Sequence, residues 1–123
     1  MPELPEVETI KNELSPWVIG QSFTQVTIFD AELVPGSSAE GFRHKLIGQT
    51  IHSLERRGKY LIFNLGNQAL IMHFRMTGTL LLNLKEVDPY TRAVFHLSNG
   101  TQVVFNDLRR FGVMWLVENV ETV

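Results

Sequence analysis

The sequence predicts a mainly β fold: an eight-stranded antiparallel β-sandwich or barrel with an N-terminal helix and one further helix packed outside it. Three observations predict this class. There are eight short runs rich in β-branched, aromatic and leucine residues, Gly or Asn separates most of them, and an Asn99-Gly100 pair lies between two of them. Such runs with hairpin spacing are typical of sandwiches and barrels. The eight predicted strands are Ser22–Phe29, Thr50–Arg56, Tyr60–Leu65, Ala69–Phe74, Thr79–Leu84, Ala93–Leu97, Thr101–Asn106 and Val113–Val117.

The first element in chain order is a helix that begins close to the N-terminus. Pro5 suits a first-turn position, and Glu6 complements the positive end of the helix dipole. Three apolar residues then recur at helical spacing and predict one buried stripe: Val7, Ile10 and Leu14. Ser15-Pro16 is expected to end or kink this helix, because proline lacks the N–H that a helix uses.

A second helix is predicted between the first and second strands, from Ser38 to Leu46. Phe42 and Leu46 lie four residues apart on one face, and Gly48 is a natural stop. The sequence shows no internal repeat, linker or low-complexity stretch. The 123 residues therefore predict a single domain.

Composition excludes several classes of protein. Apolar residues make up 44% and charged residues 20%, which excludes collagen-like and largely disordered chains. The absence of cysteine excludes a disulfide scaffold, a Cys-ligated zinc site, an iron–sulfur cluster and a thiol nucleophile. Glu3 and Glu6 stand where a signal peptide carries basic residues, and no apolar run approaches the length of a membrane span. We therefore expect a cytoplasmic protein with no membrane partner.

The charge is distributed unevenly along the chain. Eleven basic residues against thirteen acidic ones give a net charge of −2, which by itself argues mildly against a nucleic-acid partner. Residues 55–110 nevertheless hold an excess of basic residues within an acidic frame. Because screening limits each charge to a Debye length of about 8 Å, a local basic face can bind phosphate whatever the total charge. The alternative is an ordinary solvated surface.

The N-terminus is a candidate nucleophile. Initiator methionine is commonly removed before a small second residue, and its removal would leave Pro2 as a free secondary amine that can attack an aldehydic carbon and form an iminium. An ordinary terminal amine is about 10–30% neutral at physiological pH, whereas a lysine is about 0.1% neutral. Glu3 is adjacent and Glu6 lies one helical turn away, so either carboxyl can exchange a proton with the site. The alternative is a frayed or capped terminus.

Two basic turns are candidate binding sites. The first is Arg56-Arg57-Gly58-Lys59-Tyr60-Leu61, where Gly58 permits a sharp turn between cations that can clamp phosphate. The alternative is a charged strand edge that discourages aggregation. The second is Asn106-Asp107-Leu108-Arg109-Arg110-Phe111-Gly112, where an aromatic residue among arginines either wedges into a partner or folds inward.

A third turn, His73-Phe74-Arg75-Met76-Thr77-Gly78, places a large apolar side chain beside a glycine. A methionine at such a turn is either a core filler or a group available for contact with a partner. In this order and at these positions, the three turns and the N-terminal Pro-Glu-Leu-Pro-Glu-Val-Glu closely resemble the N-terminal domain of the formamidopyrimidine/endonuclease VIII DNA glycosylase family. The resemblance covers essentially the whole chain.

The resemblance implies a bifunctional base-excision repair enzyme that acts on damaged double-stranded DNA. Members flip a damaged purine out of the duplex, attack the sugar C1′ with the N-terminal proline, and cleave the strand by β,δ-elimination. By this resemblance Pro2 would be the nucleophile and Glu3 the general acid/base, with Glu6 in support. Lys59 would bind phosphate at the lesion and assist proton transfer. No metal takes part in this chemistry.

The resemblance also implies a set of DNA-binding residues. His73 would contact the DNA backbone, and Met76, Arg109 and Phe111 would fill the gap left by the flipped nucleotide and wedge the opposite strand. Exposed apolar wedges beside cations have a physical reason there, because unstacking costs a few kcal/mol that new contacts must offset. The complete predicted set is His73, Arg75, Met76, Arg92, Arg109, Arg110 and Phe111.

The chain departs from the family pattern in three respects. Thr91-Arg92 stands where many members have a histidine-rich stretch and looks more like the endonuclease VIII branch, which leaves the preferred lesion open. Leu108 stands where proline is frequent. The family's second half, a helix-two-turn-helix domain followed by a zinc finger, is absent from residues 1–123, so we expect zinc in that half and no cofactor here.

Much of the family's phosphate grip comes from the absent half, and DNA affinity falls steeply with the number of phosphates neutralised. We therefore expect residues 1–123 to be a catalytic domain, monomeric, with weak DNA binding and little or no turnover. The residues after Glu118 show no closing element, and we expect the natural chain to continue.

Two other functions remain open from the residues alone. One is a non-catalytic β-sandwich module whose basic face binds nucleic acid or an acidic protein; blocking Pro2 would leave its binding intact. The other is a glycosidase that uses the carboxyls of Glu3 and Glu6, for which the separation of the two carboxyls in space decides the stereochemical course.

Overall fold

A computed structural model describes residues 4–75, 77–83 and 88–118 of the chain. Two α-helices, one short 3₁₀ turn and eight strands make up this part. In chain order they are α1 (Leu4–Val18), β1 (Phe23–Ile28), the 3₁₀ turn (Ala31–Leu33), α2 (Ala39–Leu46), β2 (Ser53–Arg57), β3 (Tyr60–Asn64), β4 (Ala69–His73), β5 (Gly78–Leu82), β6 (Thr91–Leu97), β7 (Gln102–Asp107) and β8 (Val113–Val117). All eight predicted strands are present. The bounds of β8 are as predicted and most other ends are shifted by one to three residues, while Leu84, the predicted end of the fifth strand, lies outside the described residues.

The strands form two antiparallel sheets of four in the described residues, in the orders β1-β6-β7-β5 and β2-β3-β4-β8. The two sheets stay separate, so of the two predicted architectures the sandwich is confirmed. The predicted Asn99-Gly100 hairpin joins β6 to β7, with Gly100 at φ +87° and its N–H donating to Leu97 O. That left-handed conformation is open to glycine without a steric penalty.

Helix α1 extends further than the sequence predicts. It does not end at Ser15-Pro16 but continues to Val18. The Ser15 carbonyl accepts a helical bond from the Ile19 N–H, and Leu14 and Val18 are buried, so packing of the last turn offsets the bond that Pro16 cannot donate. The predicted apolar stripe packs inward as expected.

Helix α2 begins where the sequence predicts. The Ser38 Oγ accepts the N–H of Gly41 at 2.9 Å and caps its N-terminus. Phe42 and Leu46 are buried, as their spacing predicts. Five phenylalanines are the largest fully buried side chains of the core: Phe42, Phe63, Phe74, Phe95 and Phe105.

Candidate nucleic-acid interface

The strand register brings the three candidate turns to one end of the sandwich. Residue Tyr60 after the basic turn pairs with His73 at the end of β4, and His73 pairs with Val113 at the start of β8. In the other sheet, Gly78 at the start of β5 pairs with Asp107 at the end of β7. Residues 74–77 connect β4 of one sheet to β5 of the other, and residues 108–112 connect β7 to β8. The turns of all three motifs therefore emerge from the same end.

The first turn of helix α1, which holds the described part of the N-terminal motif, lies at this end as well. The helix packs against β2 and β3 of one sheet and β5 of the other. Its first turn holds the exposed Glu6, which lines a cavity of about 330 Å³ together with Thr9, Ile10 and Thr79. Pro2 and Glu3, the predicted nucleophile and general acid/base, lie outside the described residues.

The turn between β2 and β3 is tied to α1 by ion pairs. Arg56 Nε donates to Glu8 Oε1 at 2.9 Å, and an Arg56 terminal nitrogen donates to the Gly58 carbonyl at 3.0 Å. Lys11 also approaches Glu8, at 3.2 Å. These bonds, Arg56 first, lower the pKa of Glu8. Gly58 adopts φ +59°, which allows the sharp turn, and Lys59 beside it is half-buried.

His73 is neutral in character. Burial, and then the charges of Arg75 and Lys59, lower the pKa of His73 from its ordinary value of 6.5. Its ring lies 4.8 Å from that of Tyr60, and its Nδ1 is buried with no hydrogen-bond partner in the part of the chain that the structure describes. The lowered pKa favours the uncharged form of the His73 ring.

The arginines predicted to bind DNA differ in how the fold holds them. Arg110 Nε donates to Asp30 Oδ2 at 3.0 Å, a bond that lowers the pKa of Asp30. Arg92 donates to the carbonyls of Asp107, at 3.1 Å, and Pro89, at 3.3 Å. Both side chains thus brace the end of the sandwich with groups of the protein.

Arg109 and Phe111 form a stacked pair on the exposed side of the 108–111 loop. The guanidinium carbon of Arg109 lies 5.6 Å from the centre of the Phe111 ring, within the range of a cation–π contact. Phe111 is 49% exposed, so it projects outward and does not fold into the core. Arg75 and Arg110 both adopt left-handed backbone, at φ +58° and +61°. Met76 lies outside the described residues.

Sequence reasoning missed the residues that hold this loop. The carboxylate of Asp107 is 1% exposed and bonds to Thr77, to the Arg109 N–H and to the Gly112 N–H. The bond from residue 107 to residue 109 is a local Asx-type turn, which the sequence could have suggested. The partners Thr77 and Asp30 are distant in the sequence and leave no local signal.

No helix in the described residues is long and apolar enough to cross a membrane. No group of three or more His, Asp or Glu side chains there could hold a metal ion.

Comparison with known sequences identifies relatives along almost the whole chain. A family model for the formamidopyrimidine-DNA glycosylase N-terminal domain matches residues 1–114. The formamidopyrimidine-DNA glycosylase of Geobacillus kaustophilus is 42% identical over 117 residues, covering 93% of this chain and 43% of that relative. The protein of the same name from Enterococcus faecalis is 40% identical over 119 residues, covering 95% and 42%. The chain therefore spans less than half the length of these curated relatives.

Solved structures share the fold. Lactococcus lactis formamidopyrimidine-DNA glycosylase in complex with DNA containing FAPY-dG matches with a TM-score of 0.88 at 32% identity, covering 98% of this chain and 46% of that one. The same lactococcal protein with abasic-site DNA gives 0.88 and 32%, covering 98% and 45%. Sequence and fold agree, and the chain belongs to the formamidopyrimidine-DNA glycosylase N-terminal domain family.

Proposed function

We propose that residues 1–123 are the catalytic domain of a bifunctional DNA glycosylase and AP lyase that removes oxidised purines from DNA. The observation that carries the proposal is the convergence of four motifs on one end of the sandwich. They are the first turn of α1, the turn between β2 and β3 at residues 57–60 (the Lys59 turn), the 74–77 turn and the 108–111 loop. The lactococcal relatives, solved with lesion-containing or abasic DNA, support it.

The proposed chemistry begins at Pro2 after removal of Met1. Its secondary amine attacks C1′ of the damaged nucleotide and loses its proton, and the bond from C1′ to the base breaks. Protonation of the ring oxygen O4′ then breaks the C1′–O4′ bond, so that the sugar opens and an iminium forms between the proline nitrogen and C1′. Glu3 exchanges the protons that these steps need, and Glu6 supports it from the first turn of α1. The iminium acidifies the C2′ proton, and loss of this proton starts the β,δ-elimination that cleaves the strand.

The other residues bind the duplex. Lys59 binds phosphate at the lesion and assists proton transfer, and neutral His73 hydrogen-bonds to the DNA backbone. Met76, Arg109 and Phe111 occupy the gap left by the flipped nucleotide. Three further arginines, Arg75, Arg92 and Arg110, add cationic contacts, and the last two also brace the fold.

Borohydride trapping on a duplex with an abasic site tests the chemistry. The domain is used in excess at low salt, because a domain that neutralises few phosphates loses affinity as salt rises. We expect a covalent adduct from chain that begins at Pro2 and none from the same chain carrying an N-terminal extension, whose residue-2 nitrogen is an amide. Lys59→Ala should lower the rate of trapping by about 10²-fold or more.

Two outcomes contradict this proposal. Equal trapping by the extended chain would assign the nucleophile to another residue. DNA binding without any adduct would instead favour a non-catalytic β-sandwich module that binds nucleic acid. A nicking assay tests the expected weak turnover, and repeated rapid turnover by residues 1–123 alone would refute it.

A further inference from the structure

The 108–111 loop is closed by one buried carboxylate. The side chain of Asp107 stands at the end of β7 and is 1% exposed. Its Oδ1 accepts the N–H of Arg109 at 3.2 Å, and its Oδ2 accepts the N–H of Gly112 at 2.7 Å. Both ends of the loop are therefore fastened to the same group.

A threonine links this loop to the neighbouring turn. Thr77 Oγ1 donates to Asp107 Oδ1 at 2.5 Å and accepts the N–H of Arg109 at 3.0 Å. A hydroxyl can do both at once, whereas a methyl group can do neither. Thr77 directly follows Met76 in the chain, so this hydroxyl joins the two segments that carry the proposed gap-filling side chains.

The surrounding backbone leaves little room for another arrangement. The pairing of Gly78 with Asp107 makes the 74–77 turn and the 108–111 loop leave adjacent strands side by side. A Cβ at Gly78 would lie 2.6 Å from the Phe74 carbonyl oxygen, and a Cβ at Gly112 would lie 2.9 Å from Asp107 Oδ2. Both glycines permit approaches that any side chain would obstruct.

We propose that Asp107 and Thr77 are positioning residues that hold Arg109 and Phe111 in their DNA-binding geometry before DNA arrives. The inference rests on the proposed function, because it concerns the side chains assigned there to the gap in the duplex. A loop that is ordered in advance loses less conformational entropy on binding. Asp107 and Thr77 touch no substrate in this scheme; they act through the 108–111 loop.

A double-mutant cycle between Thr77 and Phe111 tests the inference. The probe is a duplex with a tetrahydrofuran abasic analogue and 2-aminopurine opposite it, which requires no chemistry. Thr77→Val removes the hydroxyl at similar volume and should weaken binding about fivefold, with a smaller 2-aminopurine signal at saturation. In a Phe111→Ala background the same change should have a clearly smaller effect, because one of the two side chains to be positioned is gone.

Matched variants separate positioning from general stability. Thr77→Ser retains the hydroxyl and should restore both binding and signal. Thr24→Val removes a comparable hydrogen-bonded hydroxyl, donated to the His96 carbonyl at 3.1 Å, and should leave both unchanged. Asp107→Asn should weaken binding more than Thr77→Val, because an amide nitrogen cannot accept the N–H that a carboxylate oxygen accepts.

The cycle and the trapping assay fail in different ways. If Thr77→Val weakens binding equally with and without the Phe111 ring, the positioning role is overturned even where trapping by Pro2 succeeds. If trapping fails while the cycle shows coupling, the proposed chemistry is wrong and the positioning role stands. Absence of any wild-type binding to the abasic duplex at low salt would overturn both.

Discussion

The Lys59 turn and the 108–111 loop lie at the same end of the sandwich but are held by different kinds of interaction. The Lys59 turn is fastened to α1 through Arg56 and Glu8, whose side chains are 31% and 40% exposed. The 108–111 loop is fastened through Asp107, which is buried. Water and salt screen exposed ion pairs but reach buried bonds poorly. The Lys59 turn, beside the proposed chemistry, is therefore held by an ion pair that salt can weaken. The 108–111 loop, which is proposed to contact DNA, is held by bonds that salt hardly affects.

Crowding the buried attachment should have the largest effect on stability. In Gly112→Ala the new Cβ would lie 2.7 Å from Phe105 Cζ, a fully buried ring. We expect the free energy of unfolding to fall by about 2–3 kcal/mol in urea denaturation. Gly36→Ala is the control, because its nearest neighbour is Trp115 Cδ1 at an ordinary 3.6 Å, and it should change stability by less than about 0.5 kcal/mol. Equal losses of stability in the two variants would contradict the close packing around Gly112.

An intermediate effect is expected at the Asp30–Arg110 pair. Asp30→Asn removes the charge but leaves an oxygen that can accept the Glu32 N–H and cap the 3₁₀ turn. The loss should be about 1 kcal/mol at neutral pH, a modest value because Arg110 is half exposed.

The direction of the pKa shift of Asp30 determines how the stability difference between the wild type and Asp30→Asn depends on pH. The hydrogen bond from Arg110 lowers the pKa of Asp30 from its ordinary value of 3.8, so the unfolded chain binds the proton more readily. The stabilisation is fully present above that ordinary value and is lost as the pH falls through the lower folded value. Unfolding of the wild type and Asp30→Asn, measured between pH 2 and 7, should converge only at the acid end. A difference that grew towards low pH would contradict the assignment.

The smallest effect is expected at the exposed attachment. Glu8→Gln keeps the size of the side chain but removes its charge, and should lower the melting temperature slightly at low salt and not at all in 1 M NaCl. Glu13→Gln on the same helix is the control; Glu13 is exposed, with no ion pair among the described residues. If Glu8→Gln lowered the melting temperature equally at low salt and in 1 M NaCl, the two attachments would not differ in their sensitivity to salt.

The sequence predicts the strands from local patterns, because the tendency of a segment to form a strand depends on residues that are close in the sequence. Val113–Val117 was predicted to the residue, and Asn99-Gly100 marked its hairpin. Of the two outcomes predicted at Ser15-Pro16, an end or a kink of α1, the end is wrong, because burial of Leu14 and Val18 outweighs the bond lost at Pro16. Packing of this kind depends on distant strands and leaves no signal nearby.

The candidate site was predictable in its motifs but not in its internal bonds. Arg110 and Arg109 are indistinguishable as basic residues in the sequence, yet one pairs with Asp30 and the other stacks on Phe111. Only the folded structure shows which of the two arginine side chains is paired with another group of the protein. The same holds for Thr77, whose partner Asp107 lies on another strand.

The strand order also bears on biosynthesis. Strands β2, β3 and β4 pair with their sequence neighbours and can form hairpins as soon as they leave the ribosome. Among the described strands β1 pairs with β6, as in Phe23 with Leu97, so these strand pairs must wait for most of the chain. Until then these pairs are not made and the strand is exposed to misassembly, although Phe23 at its start can already bond to Gly48 and Gln49. We expect nascent chains stalled before β6 to be the most aggregation-prone and the most dependent on chaperones.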